Sequence, residues 1–221
     1  KWPWKYKLVW LFFVVLVLWL FGRALFTTSE GTFTAGDRLV WTDWPLHIGM
    51  AANFAFGKNF PPQNPTFAGI PLIYPFFSDF LSGVLLVLGA SYPVAFDLPG
   101  IVLILVFFHL FLQLAASVLR ESKLLKQLKS LKGVSAAALF MTLFWGGLGF
   151  VYWILEAFAN EVTAISTLLV PPREYTFWAE KGLWFFTFIF SEILPQRGFL
   201  FGLPLFVLIL LLLKTGWQKR I

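Results

Sequence analysis

The chain has 221 residues, of which 59% are hydrophobic, 20% aromatic and only 13% charged. A soluble domain carries about 25% charged residues, so this composition excludes a water-soluble globule and a disordered chain alike. The absence of cysteine removes disulfides, Cys-based zinc sites and thiol nucleophiles, and the +6 net charge comes from basic residues that flank apolar runs, which indicates membrane topology and no nucleic-acid partner.

A bilayer-crossing helix needs about 20 apolar residues. The sequence predicts an all-α polytopic membrane protein with about four such helices, over residues 6–26, 98–119, 134–155 and 198–213, plus juxtamembrane helices on the outer face. Trp2, Trp4 and Tyr6 mark one interface of the first span, and Arg23 snorkels at the other. This run ends Leu25-Phe26-Thr27, without the small-residue site of a cleavable signal peptide. The fourth span is short and bracketed by Arg197 and Lys214. The chain opens at Lys1 and closes at Ile221, soon after an apolar run, and reads as one transmembrane unit from a longer polytopic protein.

Charge sets the expected orientation. Lys1, Lys5 and Lys7, the loop 120–133 with its five basic residues, and Lys214, Lys219 and Arg220 all fall on one side, which the positive-inside rule makes cytoplasmic. Eleven basic residues and one acid are then inside, against six basic residues outside (Arg23 at the end of the first span and five in the loops) and ten acids, all in loops 27–97 and 156–197. Residues 70–90 are apolar but hold Pro71, Pro75 and Asp79; a full crossing there would put the basic loop outside, so the segment is predicted to lie along the outer interface. Leu124, Leu128 and Leu131 share one face of an amphipathic helix in the basic loop, with Lys123, Lys126, Lys129 and Lys132 towards lipid phosphates.

The first outer loop is too long for a plain connection. A short helix is predicted to start near Asp43, with Pro45 in its first turn, and to end at Gly57. Asp43 suits an N-cap, and His47, four residues on, shares its face. Asp37 suits a turn. A carboxylate in an apolar segment is costly, so Asp79 needs a partner or a role. His109, inside the second span, is read as an interhelical hydrogen-bonding residue. The aromatic run through Phe177, Trp178, Trp184, Phe185, Phe186, Phe188 and Phe190 suits an interfacial belt or a wall for a lipid tail.

The segments Asp43-Trp44-Pro45-Leu46-His47 and Pro71-Leu72-Ile73-Tyr74, after a first span and before further spans with basic inner ends, resemble the N-terminal module of the GT-C superfamily. These are membrane glycosyltransferases that use polyprenyl-phosphate-sugar donors; the style is closest to bacterial relatives of the protein mannosyltransferases. The resemblance implies a GT-C-like fold and sugar transfer from a polyprenyl-phosphate donor to an acceptor of unknown identity on the outer face. It implies Asp43 as the catalytic carboxylate and a second acid in the loop after the third span, where Glu156 and Glu161 both fall and Glu156, at the mouth of the helix, fits best. His47, Asp79, Tyr74 and Arg197 are candidate substrate-binding residues, Arg197 as a holder of lipid phosphate, with Arg173 and Lys181 as weaker versions of the same idea. A divalent cation, Mg or Mn, is one way to stabilise the departing phosphate, with Asp43 and His47 as candidate ligands. A fragment of such an enzyme is expected to be inactive alone. Two other readings stay open: a non-catalytic polytopic protein of envelope biosynthesis, and a transporter or flippase of lipid-linked glycans.

Overall fold

A computed structural model describes residues 4–36, 43–67, 69–121, 131–159, 173, 175–185 and 187–218. Asp37, Glu161 and residues 122–130 of the basic loop lie outside them. The described chain is mostly helical. Its elements are α1 (Trp4–Ala24), a hairpin of β1 (Leu25–Thr27) and β2 (Phe33–Ala35), α2 (Trp44–Phe56), α3 (Phe77–Val87), α4 (Tyr92–Glu121), α5 (Leu131–Phe144) and α6 (Gly149–Ala159). A second hairpin of β3 (Phe177–Trp178) and β4 (Leu183–Trp184), a π-helical turn (Ile189–Ile193) and α7 (Arg197–Gln218) follow. Both hairpins are antiparallel; short strands of this kind gave no alternating pattern long enough to read.

Three helices are long and apolar enough to cross a membrane, over Lys7–Ala24, Tyr92–Glu121 and Arg197–Gly216. Their outward faces confirm the solvent they suit. Leu8, Leu11, Phe12, Val15 and Leu18 of α1 and Leu205, Phe206, Ile209, Leu212 and Leu213 of α7 are all exposed, an arrangement water would not tolerate and hydrocarbon favours. The second and fourth runs both start earlier and end later than the sequence suggested.

The third run differs in kind. Residues 134–155, expected as one span, are two helices, α5 and α6, bent 80° apart. The break falls at Trp145-Gly146-Gly147-Leu148. Gly147 has φ +69°, a left-handed conformation that glycine adopts without penalty. Gly149 then lies directly on the Tyr175 backbone, where a side chain would clash. Apolar composition hid the break, because hydropathy does not register backbone angles.

Helix directions follow from contacts at the ends. Phe21, late in α1, packs on Gly100, early in α4, while Trp10 stacks near His109, ring centroids 6.3 Å apart; α1 and α4 are antiparallel. Arg197, at the start of α7, meets Phe96, and Lys214, near its end, pairs with Glu121 at 3.1 Å; α4 and α7 run parallel.

At 11 residues, or about 16 Å, α3 is too short to span about 30 Å of hydrocarbon. Its amphipathicity is inverted. Ser78, Asp79, Ser82 and Gly83 are buried, whereas Phe77, Val84 and Val87 are exposed. It crosses α2 closely at Gly83, where a Cβ would come within 2.9 Å of the Ala51 carbonyl oxygen and the Phe54 Cβ. The polar face therefore points inward, against α2, α4 and α7.

Candidate functional site

The inward face of α3 holds an ion cluster sealed from solvent. His47, Asp79 and Arg197 each have 0% relative exposure. His47 Nδ1 lies 2.8 Å from Asp79 Oδ2. Arg197 Nε donates to Asp79 Oδ1 at 2.6 Å. The guanidinium also donates to the Ser78 carbonyl at 3.1 Å, to the Phe96 carbonyl at 3.3 Å and to Ser82 Oγ. Its Cζ stands 4.4 Å over the Phe96 ring. Ser78 returns a bond from Oγ to the Arg197 carbonyl at 2.6 Å. A charge removed from water needs this degree of satisfaction.

The local sequence explains how the cluster is built. Pro99 sits inside α4 and has no N–H to donate, so the Ala95 carbonyl four residues back loses its helical partner. Ser82 Oγ donates to that carbonyl at 2.8 Å, which leaves its oxygen as an acceptor for Arg197. The proline therefore aims a serine at an arginine. Asp97, one turn into α4, lies close enough to act on Arg197 electrostatically.

Above this cluster is a second, half-buried set. Tyr74 donates from its hydroxyl to Gln196 Oε1 at 3.1 Å, and Gln196 Nε2 donates to Asp43 Oδ2 at 2.8 Å. Burial, then the charges of Asp43 and Asp79, raise the Tyr74 phenol above its usual value, so it stays a donor. The Tyr74 ring stacks edge-on to His47, centroids 5.8 Å apart, which joins the two sets. His47 Nε2 and Trp44 Nε1 are buried without a hydrogen-bond partner among the described residues.

The expected helix over 43–57 is present, from Trp44 to Phe56 with Pro45 in its first turn and Gly57 after it. Asp43 stands at the N-cap, but its side chain makes no capping bond; the carboxylate turns to Gln196 instead. His47 does not orient Asp43, because its Nδ1 faces Asp79. The partners Asp79 needed are therefore His47 and Arg197. Arg197 is enclosed rather than presented to a lipid phosphate. Glu156 lies apart, in α6: it accepts from the Tyr175 hydroxyl at 2.6 Å and pairs with Arg173 at 3.4 Å, and burial followed by this carboxylate raises the Tyr175 phenol. Arg173 and Lys181 are exposed and lie 4.4 Å and 5.7 Å from the Trp178 ring. His109 bonds Gln113 of its own helix at 2.7 Å, not a neighbouring helix.

The two side chains named for a metal, Asp43 and His47, face different partners. Among the described residues no three His, Asp or Glu side chains converge as a ligand set, so no step is routed through a metal. The reading of the sequence missed Ser78, Ser82, Gln196 and Asp97. A signal existed for two of them: Ser78 and Ser82 flank Asp79 at helical spacing, on the same face.

No protein-family model, curated protein or solved structure matches this chain. Fold and composition define a predominantly helical protein with three helices suited to crossing a membrane.

Proposed function

We propose that this chain is the membrane-embedded module of a glycosyltransferase that uses a polyprenyl-phosphate-linked sugar on the outer face of a membrane. The observation that carries the reading is the state of Asp43. Its carboxylate is half-buried, held through one oxygen by an uncharged amide, and paired with no cation among the described residues. A carboxylate kept in place but not neutralised suits a base that takes the acceptor proton. In that reaction the acceptor oxygen attacks the anomeric carbon, the bond from sugar to lipid phosphate breaks, and Asp43 receives the acceptor proton. Tyr74 and Gln196 position the carboxylate. The sealed His47–Asp79–Arg197 cluster fixes α2, α3 and the start of α7 beneath it. Arg197 is enclosed, and Arg173 and Lys181 lie at Trp178 beside Glu156, apart from Asp43, so none of the three is assigned to the departing phosphate.

Orientation belongs to the same proposal. The basic residues put the N-terminus and the α4–α5 connection in the cytoplasm, so the start of α4, with Asp43 and Asp79 beside it, faces outward. Because α7 runs parallel to α4, the chain must return between them. The bent pair α5–α6 is the described apolar segment between them on which that return rests.

The test is Asp43→Asn in the intact protein, assayed for sugar transfer from a polyprenyl-phosphate donor with donor binding measured in parallel. Transfer is expected to fall about 100- to 10,000-fold with donor binding retained. Unchanged transfer would overturn the assignment of Asp43, and no transfer by the unsubstituted protein would favour the non-catalytic reading.

A further inference from the structure

The opposite end of the bundle holds a cavity of about 420 Å³ to which α1, α4, α5 and α7 all contribute. It falls within the roughly 300–1,000 Å³ range of small-molecule sites. Val9, Leu112, Ala116, Ala136 and Leu211 make its walls apolar, and Arg120 and Lys132 line it at the end of α4 and the start of α5. Two polar side chains from the middle of α4, His109 and Gln113, line the same space. His109 lies about 18 Å along the helix from Glu121 and about 26 Å from Tyr92, which puts it at hydrocarbon depth. Polar side chains there are costly, and they face a partner or a cavity that gives them a function. Neither of these two ties α4 to a neighbour: Gln113 Nε2 donates to His109 Nε2 at 2.7 Å, within the one helix. Both are exposed rather than packed.

We infer that this cavity binds one neutral, membrane-soluble alcohol, its hydrocarbon body against the apolar walls and its hydroxyl at His109 and Gln113. The hydrogen bond between the two side chains sets the chemistry. An amide nitrogen only donates, so His109 Nε2 is the acceptor and the ring proton sits on Nδ1. The pair keeps the ring N–H as a donor and Gln113 Oε1 as an acceptor, on one helix face and with no further partner among the described residues. One hydroxyl satisfies both, accepting from the ring and donating to the amide. An ether satisfies the ring alone, and an alkane neither. The hydroxyl protons of Ser117, Ser135 and Thr215 all go to backbone carbonyls of their own helices, so the His–Gln pair is where this cavity sets a donor beside an acceptor. Charge does not enter the selection. Arg120 is about 10 Å further along α4 than Gln113, and an ionised group at the depth of the pair would be costly. The inference depends on membrane insertion and not on sugar transfer.

The experiment titrates the detergent-purified protein with hexadecanol, its methyl ether and hexadecane, and reads retention by native mass spectrometry. Hexadecanol is expected to be retained at about tenfold lower concentration than hexadecane, from roughly threefold per hydrogen bond, with the ether between them. The chain has only two histidines, so nitrogen-15 NMR of labelled histidine resolves both rings, and His109→Leu assigns them. Hexadecanol should shift the His109 ring nitrogens and leave those of the sealed His47 unmoved. Gln113→Leu should weaken hexadecanol about threefold, to the level of its ether, and leave hexadecane unchanged. Should that variant fail to fold, the three ligands on the unsubstituted protein decide alone. Equal retention of alcohol and alkane would overturn the site, by showing an apolar cavity with no use for the hydroxyl. Alcohol retained without a shift at His109, or unaffected by Gln113→Leu, would overturn it by placing the ligand elsewhere. Retention of none of the three would overturn it as well, and would leave the pair facing water or a helix from beyond these residues.

Discussion

Arg197 and Asp79 set the energetics at the residue scale. Each is fully enclosed, so removing one leaves the other as an uncompensated charge, which costs about 3–5 kcal/mol. Arg197→Met should therefore destabilise the protein by about that amount in equilibrium unfolding from mixed micelles. Asp79→Asn combined with Arg197→Met should be less damaging than the sum of the single changes, because the pair is lost together; additive losses would show that the two do not act as a pair. Tyr74 makes a weaker, pH-dependent contribution. Its phenol is raised by burial and by the Asp43 and Asp79 charges. A raised folded value means that its contribution is whole below the unfolded value of about 10 and is lost as pH climbs through the folded one. On the proposed function, sugar transfer should accordingly show no alkaline decline owed to Tyr74 below about pH 10. Tyr74→Phe should lower turnover through the freed Gln196 while leaving the profile between pH 6 and 9 unchanged in shape.

Among elements, the crossing of α3 and α4 depends on an exchange between a proline and a serine. Ser82→Ala leaves the Ala95 carbonyl and one Arg197 N–H without a partner, at roughly 1–3 kcal/mol. Restoring the helical N–H with Pro99→Ala should relieve the first of these, so the cost of Ser82→Ala should shrink by about 1 kcal/mol in that background. An identical cost in both backgrounds would show that Ser82 serves only the arginine. This exchange also shows why the fold was easier to read than the site. The spans were legible because 18-residue apolar windows leave few alternatives, and α2 was legible because Asp43, Pro45 and Gly57 punctuate both its ends. The break at Gly146-Gly147 was not, since the same apolar letters serve one helix or two. Asp79 could be singled out as a carboxylate in costly surroundings, and Asp43, His47, Tyr74 and Arg197 by loop position and resemblance, but none of them could be paired. Asp43 and His47 share a helix face by spacing, yet the partner of His47 comes from 32 residues on and that of Asp43 from 153 residues on. Such long-range pairing is decided by packing, which one sequence does not print.

At the scale of the whole molecule, the proposed orientation rests on two contacts and the positive-inside rule. The Arg197 bond to the Phe96 carbonyl ties the starts of α4 and α7 together, and the Lys214–Glu121 pair ties their ends. Two parallel crossing helices need an intervening return, and α5–α6 is the described segment between them that passes the apolar test. The absence of cysteine from the sequence makes this directly measurable, because any single cysteine introduced is the only thiol present. Ser29→Cys in the first hairpin and Glu180→Cys in the second are both exposed and should react with an impermeant maleimide on intact cells. Gly216→Cys and Glu121→Cys should react only after the membrane is opened. Glu180 carries the decision: if α5–α6 were re-entrant, residues 175–185 would lie on the same side as Glu121, and Glu180→Cys would be protected in intact cells. Labelling of Glu180 together with Ser29 fixes α5–α6 as a crossing, and with it puts Asp43, Tyr74 and Gln196 on the face opposite the Arg120–Lys132 cavity.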